Sequence, residues 1–229
     1  MKTNLVGVLL LIALITSCQT EPSISPTTTT GPEPVPFRMT RDSVLTGTYL
    51  GIPIGEGAEP VYTTIQSLQQ TKGVTYLNVV SNIFSDLAKL KDRIPLYQYI
   101  ILDQQQGTDS GVQITIENKA VKSIYLNSGV KLTQWPVLLM ANAAVRVGDP
   151  IGTLYDKLAV IKGMTTYSNK FERISLQTKN LSTMYDQGMS QSPQWYFMYK
   201  TGPDQQDEVQ VHFTQGKVSK IAINHYTPY

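Results

Sequence analysis

The chain has 229 residues, of which 41% are hydrophobic and 16% are charged, and its formal net charge is +2 at pH 7. These values are typical of a globular protein with a sizeable core. Because no block of like charges supplies the basic surface that nucleic-acid binding requires, nucleic acid is not expected as a partner.

The first seventeen residues have the features of a signal peptide. Lys2 supplies a positive charge, residues 5–15 form an apolar run, and Ile15-Thr16-Ser17-Cys18 follows. The run is shorter than the roughly 20 residues that a spanning helix needs. Its last four residues resemble the lipobox of bacterial lipoproteins, in which the cysteine is lipidated. We therefore predict a signal peptide at 1–17 and lipidation at Cys18; a secretory signal with a chance cysteine is the alternative.

Further features of this region concern the anchor. Cys18 is the only cysteine, so the chain can form no internal disulfide. Gln19 differs from the aspartate that retains such lipoproteins in the inner membrane, which favours the outer membrane. Residues 18–36 are rich in proline and threonine and cannot bury enough surface to fold, so they are predicted to form an extended tether after the lipidated cysteine.

A short motif occurs twice in the remaining sequence. Gly51-Ile52-Pro53-Ile54-Gly55 and Gly148-Asp149-Pro150-Ile151-Gly152 differ at one position and lie 148 − 51 = 97 residues apart. The same offset matches Tyr99 with Tyr196, and Val112-Gln113-Ile114 with Val209-Gln210-Val211. These matches predict a tandem repeat, with one unit at 37–128, a connector at 129–142 and a second unit at 143–229.

The first unit begins with a helix and continues as a sheet. Apolar residues spaced by three and four from Ile54 to Leu68 predict the helix, which ends at Lys72-Gly73. A strand at 74–80 and a short helix at 83–90 are expected next. Strands at 96–102, 112–116 and 120–126 complete the unit. Asn118-Lys119 joins the last two strands in a hairpin loop that needs positive φ angles.

The second unit repeats this order. Asp149 and Pro150 are typical of a helix start, and Lys162-Gly163 ends the helix. Strands are expected at 171–176, 195–199, 208–213 and 217–223, with a helix, strand or loop at 180–188 and a turn at Gln215-Gly216. Each unit is thus predicted to be a helix, possibly two, packed on an antiparallel sheet of about four strands. The predicted fold class is α+β.

Several residues in the second unit carry a family resemblance. They are the turn Gly148-Asp149-Pro150, the aromatic strand Trp195-Tyr196-Phe197, the strand Val209-Gln210-Val211-His212-Phe213, and Gly216-Lys217-Val218 leading to Ile221. This pattern resembles the helix-plus-meander domains of the outer-membrane assembly lipoproteins and of the β-lactamase inhibitory proteins. The resemblance implies a two-unit α+β fold, and an inhibitor of a secreted enzyme is one function that it suggests.

Residues suited to catalysis are sparse. His212 and His225 are the only histidines, and strand alternation places His212 on a polar face. No metal-binding motif, serine-nucleophile motif or phosphate loop is present, and the glycines between 47 and 57 are typical of turns. Two acidic groups, Asp103 with Asp109 and Asp204 with Asp207 and Glu208, could serve a hydrolase. We predict no cofactor, no metal and no catalytic residues, with a hydrolase as the alternative.

Aromatic residues are concentrated on equivalent strands of the two units. We predict that they pack between the units or form a binding surface, and the candidate surface consists of Tyr97, Tyr99, Trp195, Tyr196 and Tyr199. The sequence therefore predicts a non-catalytic, lipid-anchored protein of the cell envelope. Such a protein would present a sheet surface to a protein or glycan partner.

Overall fold

The computed structural model describes residues 37–140 and 142–228, which belong to one compact unit. The predicted signal peptide, Cys18 and the tether lie outside the described residues. Within them the chain forms fifteen strands: β1 Phe37–Val44, β2 Thr48–Tyr49, β3 Ile52–Pro53, β4 Asn78–Val79, β5 Ile83–Phe84, β6 Tyr97–Asp103, β7 Val112–Glu117, β8 Ala120–Leu126, β9 Lys131–Leu132, β10 Gln134–Trp135, β11 Val145–Arg146, β12 Arg173–Lys179, β13 Gln194–Gly202, β14 Gln205–Thr214 and β15 Lys217–Pro228.

Helices occupy less of the described chain than strands do. The α-helices are α1 Ala58–Lys72, α2 Ile151–Lys162 and α3 Thr165–Ser168, and 3₁₀ helices lie at Leu87–Leu90, Ile94–Leu96, Asn169–Phe171 and Gln187–Gln191. The predicted C-terminal ends of α1 and α2 are confirmed at Lys72 and Lys162, and Gly73 has the positive φ of a C-terminal cap. Asp149 does not cap α2, because its carboxylate accepts from the Arg146 N–H and from Lys157.

Two large antiparallel sheets dominate the fold. The first has the strand order β1-β15-β14-β13-β4, and the second has the order β5-β12-β6-β7-β8-β9. They meet at an antiparallel bridge between Leu77 and Lys179, where the Lys179 N–H donates to the Leu77 carbonyl at 2.7 Å. Two small ribbons, β2–β3 and β10–β11, complete the strand pairing.

The prediction of two helix-plus-sheet repeats is wrong, because the two halves exchange strands and the described chain is rich in strand. β4 belongs to the first half but pairs with β13, where Val79 lies opposite Trp195. Reciprocally, β12 of the second half pairs with β6, where Leu176 lies opposite Ile100. Each large sheet therefore contains strands from both halves, and neither half is an independent α+β unit.

The two long helices also begin against the opposite half of the chain. Before α1, the Gly55 N–H donates to the Val218 carbonyl at 2.8 Å, and the Val218 N–H donates to the Glu56 carbonyl at 2.9 Å. Before α2, Gly148 and Asp149 make the same pair of bonds with Val121, each at 2.8 Å. Helix α1 thus starts at the β14–β15 hairpin, and α2 starts at the β7–β8 hairpin.

These bonds correct the register of the repeated motif. Gly148 corresponds in space to Gly55, which is 148 − 55 = 93 residues earlier, and not to Gly51. Gly51 instead lies in the turn between β2 and β3, with φ of +79°. The offset of 97 holds in the last hairpins, since Ile114 pairs with Ile124 as Val211 pairs with Ile221. Their loops have the positive φ angles that were predicted.

One continuous hydrophobic core includes residues from both sheets and both long helices. An aromatic series leads from α1 into the first sheet, from Tyr62 through Tyr185 and Trp195 to Phe213, with ring centroids 4.5 to 6.4 Å apart. Because successive strand residues point to opposite faces, the residues between the core positions lie on the other side of each sheet. We call that side the outer face.

Candidate functional site

The outer face carries polar and tyrosine side chains on both large sheets. In β13, Trp195, Phe197 and Tyr199 are buried, while Tyr196 and Met198 between them are half-buried. The same alternation assigns further residues to this face: Asn78, Arg173, Ser175, Gln177, Gln194, Gln210, Tyr99, Ile101, Gln113, Thr115, Ser123 and Tyr125. Amides, hydroxyls and phenols dominate this set, which is suited to hydrogen bonding with a partner.

The five predicted aromatic residues separate into two groups. Tyr97, Trp195 and Tyr199 are at most 8% exposed and belong to the core, so little of their surface can contact a partner. Tyr99 is 36% exposed and Tyr196 is half-buried, and both lie on the outer face. Strand alternation could have separated Trp195 and Tyr199 from Tyr196, because residues two positions apart share a face.

A pocket of about 280 Å³ opens on the outer face where the two sheets meet. We call it the junction pocket. It is lined on one side by Asn78 and Tyr196 of the first sheet, and on the other by Arg173, Ser175 and Gln177 of the second. Sequence reasoning missed this pocket, because the exchange of β4 and β12 brings its two walls together.

Backbone strain marks both strands that cross between the halves. Ser81 has φ of +55° and Thr178 has φ of +56°, a region that residues other than glycine rarely adopt. Their separation is 178 − 81 = 97 residues, and each precedes a buried polar residue, Asn82 or Lys179. Ser81 follows β4 and Thr178 is the last residue but one of β12, so both lie close to the junction pocket and to a buried charged cluster.

The buried charged cluster connects the two halves on the helix side. Asp186 accepts hydrogen bonds from Arg93 at 2.7 and 2.9 Å and from the Tyr97 hydroxyl at 2.5 Å. Arg93 also donates to the side-chain amide oxygen of Asn82 at 2.5 Å. Burial, together with the charge of Asp186, raises the pKa of Tyr97 far above its ordinary value. The sequence gives no signal for this cluster, because its members are distant along the chain.

Lys179 is fully buried next to this cluster. Its ammonium donates to the Tyr62 hydroxyl at 3.0 Å, to the Asn180 carbonyl at 3.1 Å and to the Thr183 hydroxyl. Burial lowers the pKa of Lys179 to about 8, although the charge of Asp186 opposes this shift. The side chain is enclosed by the core, where it contributes to the structure.

The acidic residues proposed for a hydrolase do not converge. Asp103 is 1% exposed and accepts from the N–H groups of Gln104 and Thr108 and from the Asn127 amide, so it organises its own loop. Burial alone would raise the pKa of Asp103, but hydrogen bonds from the Thr108 hydroxyl and from the backbone N–H groups of Thr108 and Gln104 lower it. In the second half, Asp207 points to the core side of β14 and Glu208 to the outer face.

His225 forms a polar chain at the end of the first sheet. Its ring nitrogens contact Asp207 at 2.7 Å and Asp42 of β1 at 3.2 Å, and Asp207 accepts from the Tyr199 hydroxyl at 2.9 Å. The hydrogen bond with Asp207 raises the pKa of His225, as does Asp42. For His212, burial and the charges of Lys220 and Arg41 lower the pKa. The two histidines lie apart, and the His225 chain fastens β1 to β15.

Within residues 37–140 and 142–228, no three His, Cys, Asp or Glu side chains come together as metal ligands would. None of the helices described there has the length and apolarity needed to cross a membrane.

Comparisons with protein-family models, with curated proteins and with solved structures find no match to this chain. The structure by itself defines a β-rich protein in which two halves exchange strands and helices. Its most distinctive surface feature is a polar outer face with a central pocket, and this feature is the basis for the functional proposal.

Proposed function

We propose that the protein is a non-catalytic, lipid-anchored protein of the cell envelope whose outer face binds a protein partner. The main supporting observation is the composition of the outer face. Tyr99, Tyr125 and Tyr196 stand among asparagine, glutamine, serine and threonine side chains across both sheets. Tyrosine provides a large contact area with little loss of conformational entropy, and amides and hydroxyls adapt their hydrogen bonds to a partner.

A protein partner suits this surface better than a glycan does, although the sequence allows either. The tyrosines are distributed over β6, β8 and β13, so a partner that contacts all of them must extend across both sheets. A protein interface typically involves about 20 to 30 residues on each side, which matches such an extent.

The proposed attachment to the envelope depends on Cys18 and the following tether. Strand β1 begins at Phe37, immediately after the tether, and forms the edge of the first sheet. Lipidation of Cys18 would hold this edge near the outer membrane, and the tether would allow the outer face to reach a partner. Replacing Cys18 by alanine should release the protein from membranes. A Cys18→Ala protein that still carries acyl chains would contradict the anchor.

Site-specific photocrosslinking in the native envelope tests the binding face. A photoreactive residue at Tyr196 or Tyr125 should give the same crosslinked protein, identified by mass spectrometry. Tyr155, a half-buried tyrosine on α2, is the matched control on the helix side and should not give this product. Equal crosslinking from Tyr155, or the absence of a product from both outer-face positions, would refute the proposed face.

A further inference from the structure

The junction pocket has a marked excess of hydrogen-bond donors. Ser175 is 3% exposed, and its hydroxyl oxygen has no hydrogen-bond partner among the described residues. Arg173 lies two residues earlier on the same face of β12 and forms no ion pair within that part of the chain. A guanidinium offers five N–H groups and a hydroxyl offers one O–H group. The pocket therefore presents positive charge and donors to its contents.

Two amide acceptors near the pocket are already occupied. The side-chain amide oxygen of Asn78 accepts from the Thr178 hydroxyl at 2.5 Å, and the side-chain amide oxygen of Asn82 accepts from Arg93 at 2.5 Å. Arg93 can only donate, so the orientation of the Asn82 amide is fixed, and its nitrogen has no partner within the described residues. The Asn82 amide nitrogen is thus a further unpaired donor at the junction, beside the Ser175 hydroxyl.

The carboxylate opposite Arg173 in the sheet forms no ion pair with it. Asp103 lies directly opposite Arg173 in the β6–β12 pair, but the two side chains do not approach within 4.0 Å. The carboxylate of Asp103 is held instead by Thr108, Gln104 and Asn127. No acidic residue lines the junction pocket.

From these observations we infer that the junction pocket binds a carboxylate, supplied by an aspartate or glutamate side chain of the protein partner. A carboxylate is an acceptor with a single charge, and the fork of Arg173 can bind it through two hydrogen bonds. A phosphate dianion would find only one cation here and no helix N-terminus. Tyr196 at the rim would pack against the stem of the inserted side chain. This inference names the recognition chemistry of the outer face and so rests on the proposed function.

The test uses the full chain in detergent micelles and follows the backbone amide signals of Ser175 and Gln177 by NMR. The probes are N-acetylglutamate N-methylamide, glucuronate, methyl glucoside and inorganic phosphate at constant ionic strength. The glutamate derivative should bind saturably with a Kd on the order of 1 mM, as expected for one small charged group. Arg173→Gln should weaken this binding about tenfold or more, because a charge-assisted hydrogen bond is lost. Ser175→Ala should weaken it about fivefold.

A control variant removes an equal charge from the first sheet, away from the pocket. Lys220→Gln should leave the affinity for the glutamate derivative unchanged within about twofold, because Lys220 does not line the pocket. The indole signal of the core residue Trp195 reports whether each variant is folded. If Arg173→Gln disturbs this signal, the effect of Ser175→Ala on binding of the glutamate derivative tests the pocket in its place.

Three results would overturn the inference: binding that is independent of both Arg173 and Ser175, equal or tighter binding of phosphate or methyl glucoside, or no binding of the glutamate derivative. Glucuronate binding at least tenfold tighter than the glutamate derivative would overturn the protein source of the carboxylate. The crosslinking experiment is independent of these measurements. Crosslinking at Tyr196 without carboxylate binding would refute only the pocket. Carboxylate binding without crosslinking would refute the protein-binding face and, with it, the protein source of the carboxylate, but not the binding of a carboxylate by the pocket.

Discussion

Replacing Lys179 by methionine should stabilise the protein at neutral pH. Burial lowers the pKa of Lys179 from 10.5 to about 8, so the folded protein carries the ammonium at a cost. The shift of 10.5 − 8 = 2.5 pKa units, at about 1.4 kcal/mol per unit, sets an upper bound of about 3.5 kcal/mol on this cost, and relaxation of the surrounding polar groups reduces it to about 2 kcal/mol. Methionine has a similar length and adapts to irregular core spaces.

The substitution leaves the neighbouring polar groups with partners. The Tyr62 hydroxyl still donates to the Thr183 carbonyl at 2.9 Å, and the Thr183 hydroxyl still donates to the Asn180 carbonyl at 2.6 Å. Asp186 retains its ion pair with Arg93 at 2.7 Å. Because no buried donor loses its acceptor, the removal of the ammonium should not create a new penalty.

The pH dependence has a definite sign. Between pH 8 and 10.5 the unfolded chain holds the Lys179 proton more often than the folded protein does, so wild-type stability should rise with pH across this window relative to Lys179→Met. The advantage of the variant at pH 7, about 2 kcal/mol, should therefore shrink toward pH 10.5.

Denaturant unfolding of both proteins at pH 7, 9 and 10.5 measures this change, with Lys131→Met as an exposed control that should show no such trend. A loss of more than about 2 kcal/mol in Lys179→Met at every pH would show that the ammonium is a net stabilising member of the cluster.

Three further predictions concern packing, pH and topology. Gly188→Ala should lower the free energy of unfolding by about 1 to 3 kcal/mol, because its Cβ would lie 2.4 Å from the Arg93 guanidinium. Gly152→Ala in α2 is the control and should not lower it, because no atom lies within 4 Å of the added Cβ. Denaturant titration measures both effects. The pKa of His225 is raised in the folded protein, so the stability that its protonated ring contributes is fully present below pH 6.5 and is lost as pH rises through the folded pKa. Hydrogen exchange of the β1 amides should therefore accelerate over that pH range. His225→Gln should abolish this pH dependence. Cleavage at a protease site inserted in the exposed segment 137–140 should yield two fragments that are unfolded when separate. Mixing them should restore the circular dichroism signal of the folded protein. A fragment that folds alone would contradict the exchanged topology.

Local structure was largely determined by the sequence. The C-terminal ends of α1 and α2 follow from apolar spacing and from Lys72-Gly73 and Lys162-Gly163, because glycine is a poor helix former and is common just after a helix. The hairpins at Asn118-Lys119 and Gln215-Gly216 likewise depend on backbone conformations that these residues tolerate. Such features involve neighbours in the chain, so a single sequence is enough to predict them.

The pairing of the two halves was decided only by the tertiary structure. Both halves offer similar alternating strands and similar apolar helix stripes, so β4 could pair equally well with either meander by pattern alone. The observed exchange depends on contacts between distant residues, such as Leu77 with Lys179 and Arg93 with Asp186, which periodicity does not encode. For the same reason the sequence indicated aromatic strands, whereas the junction pocket emerged only when Tyr196 and Ser175 were brought to one face of the joined sheets.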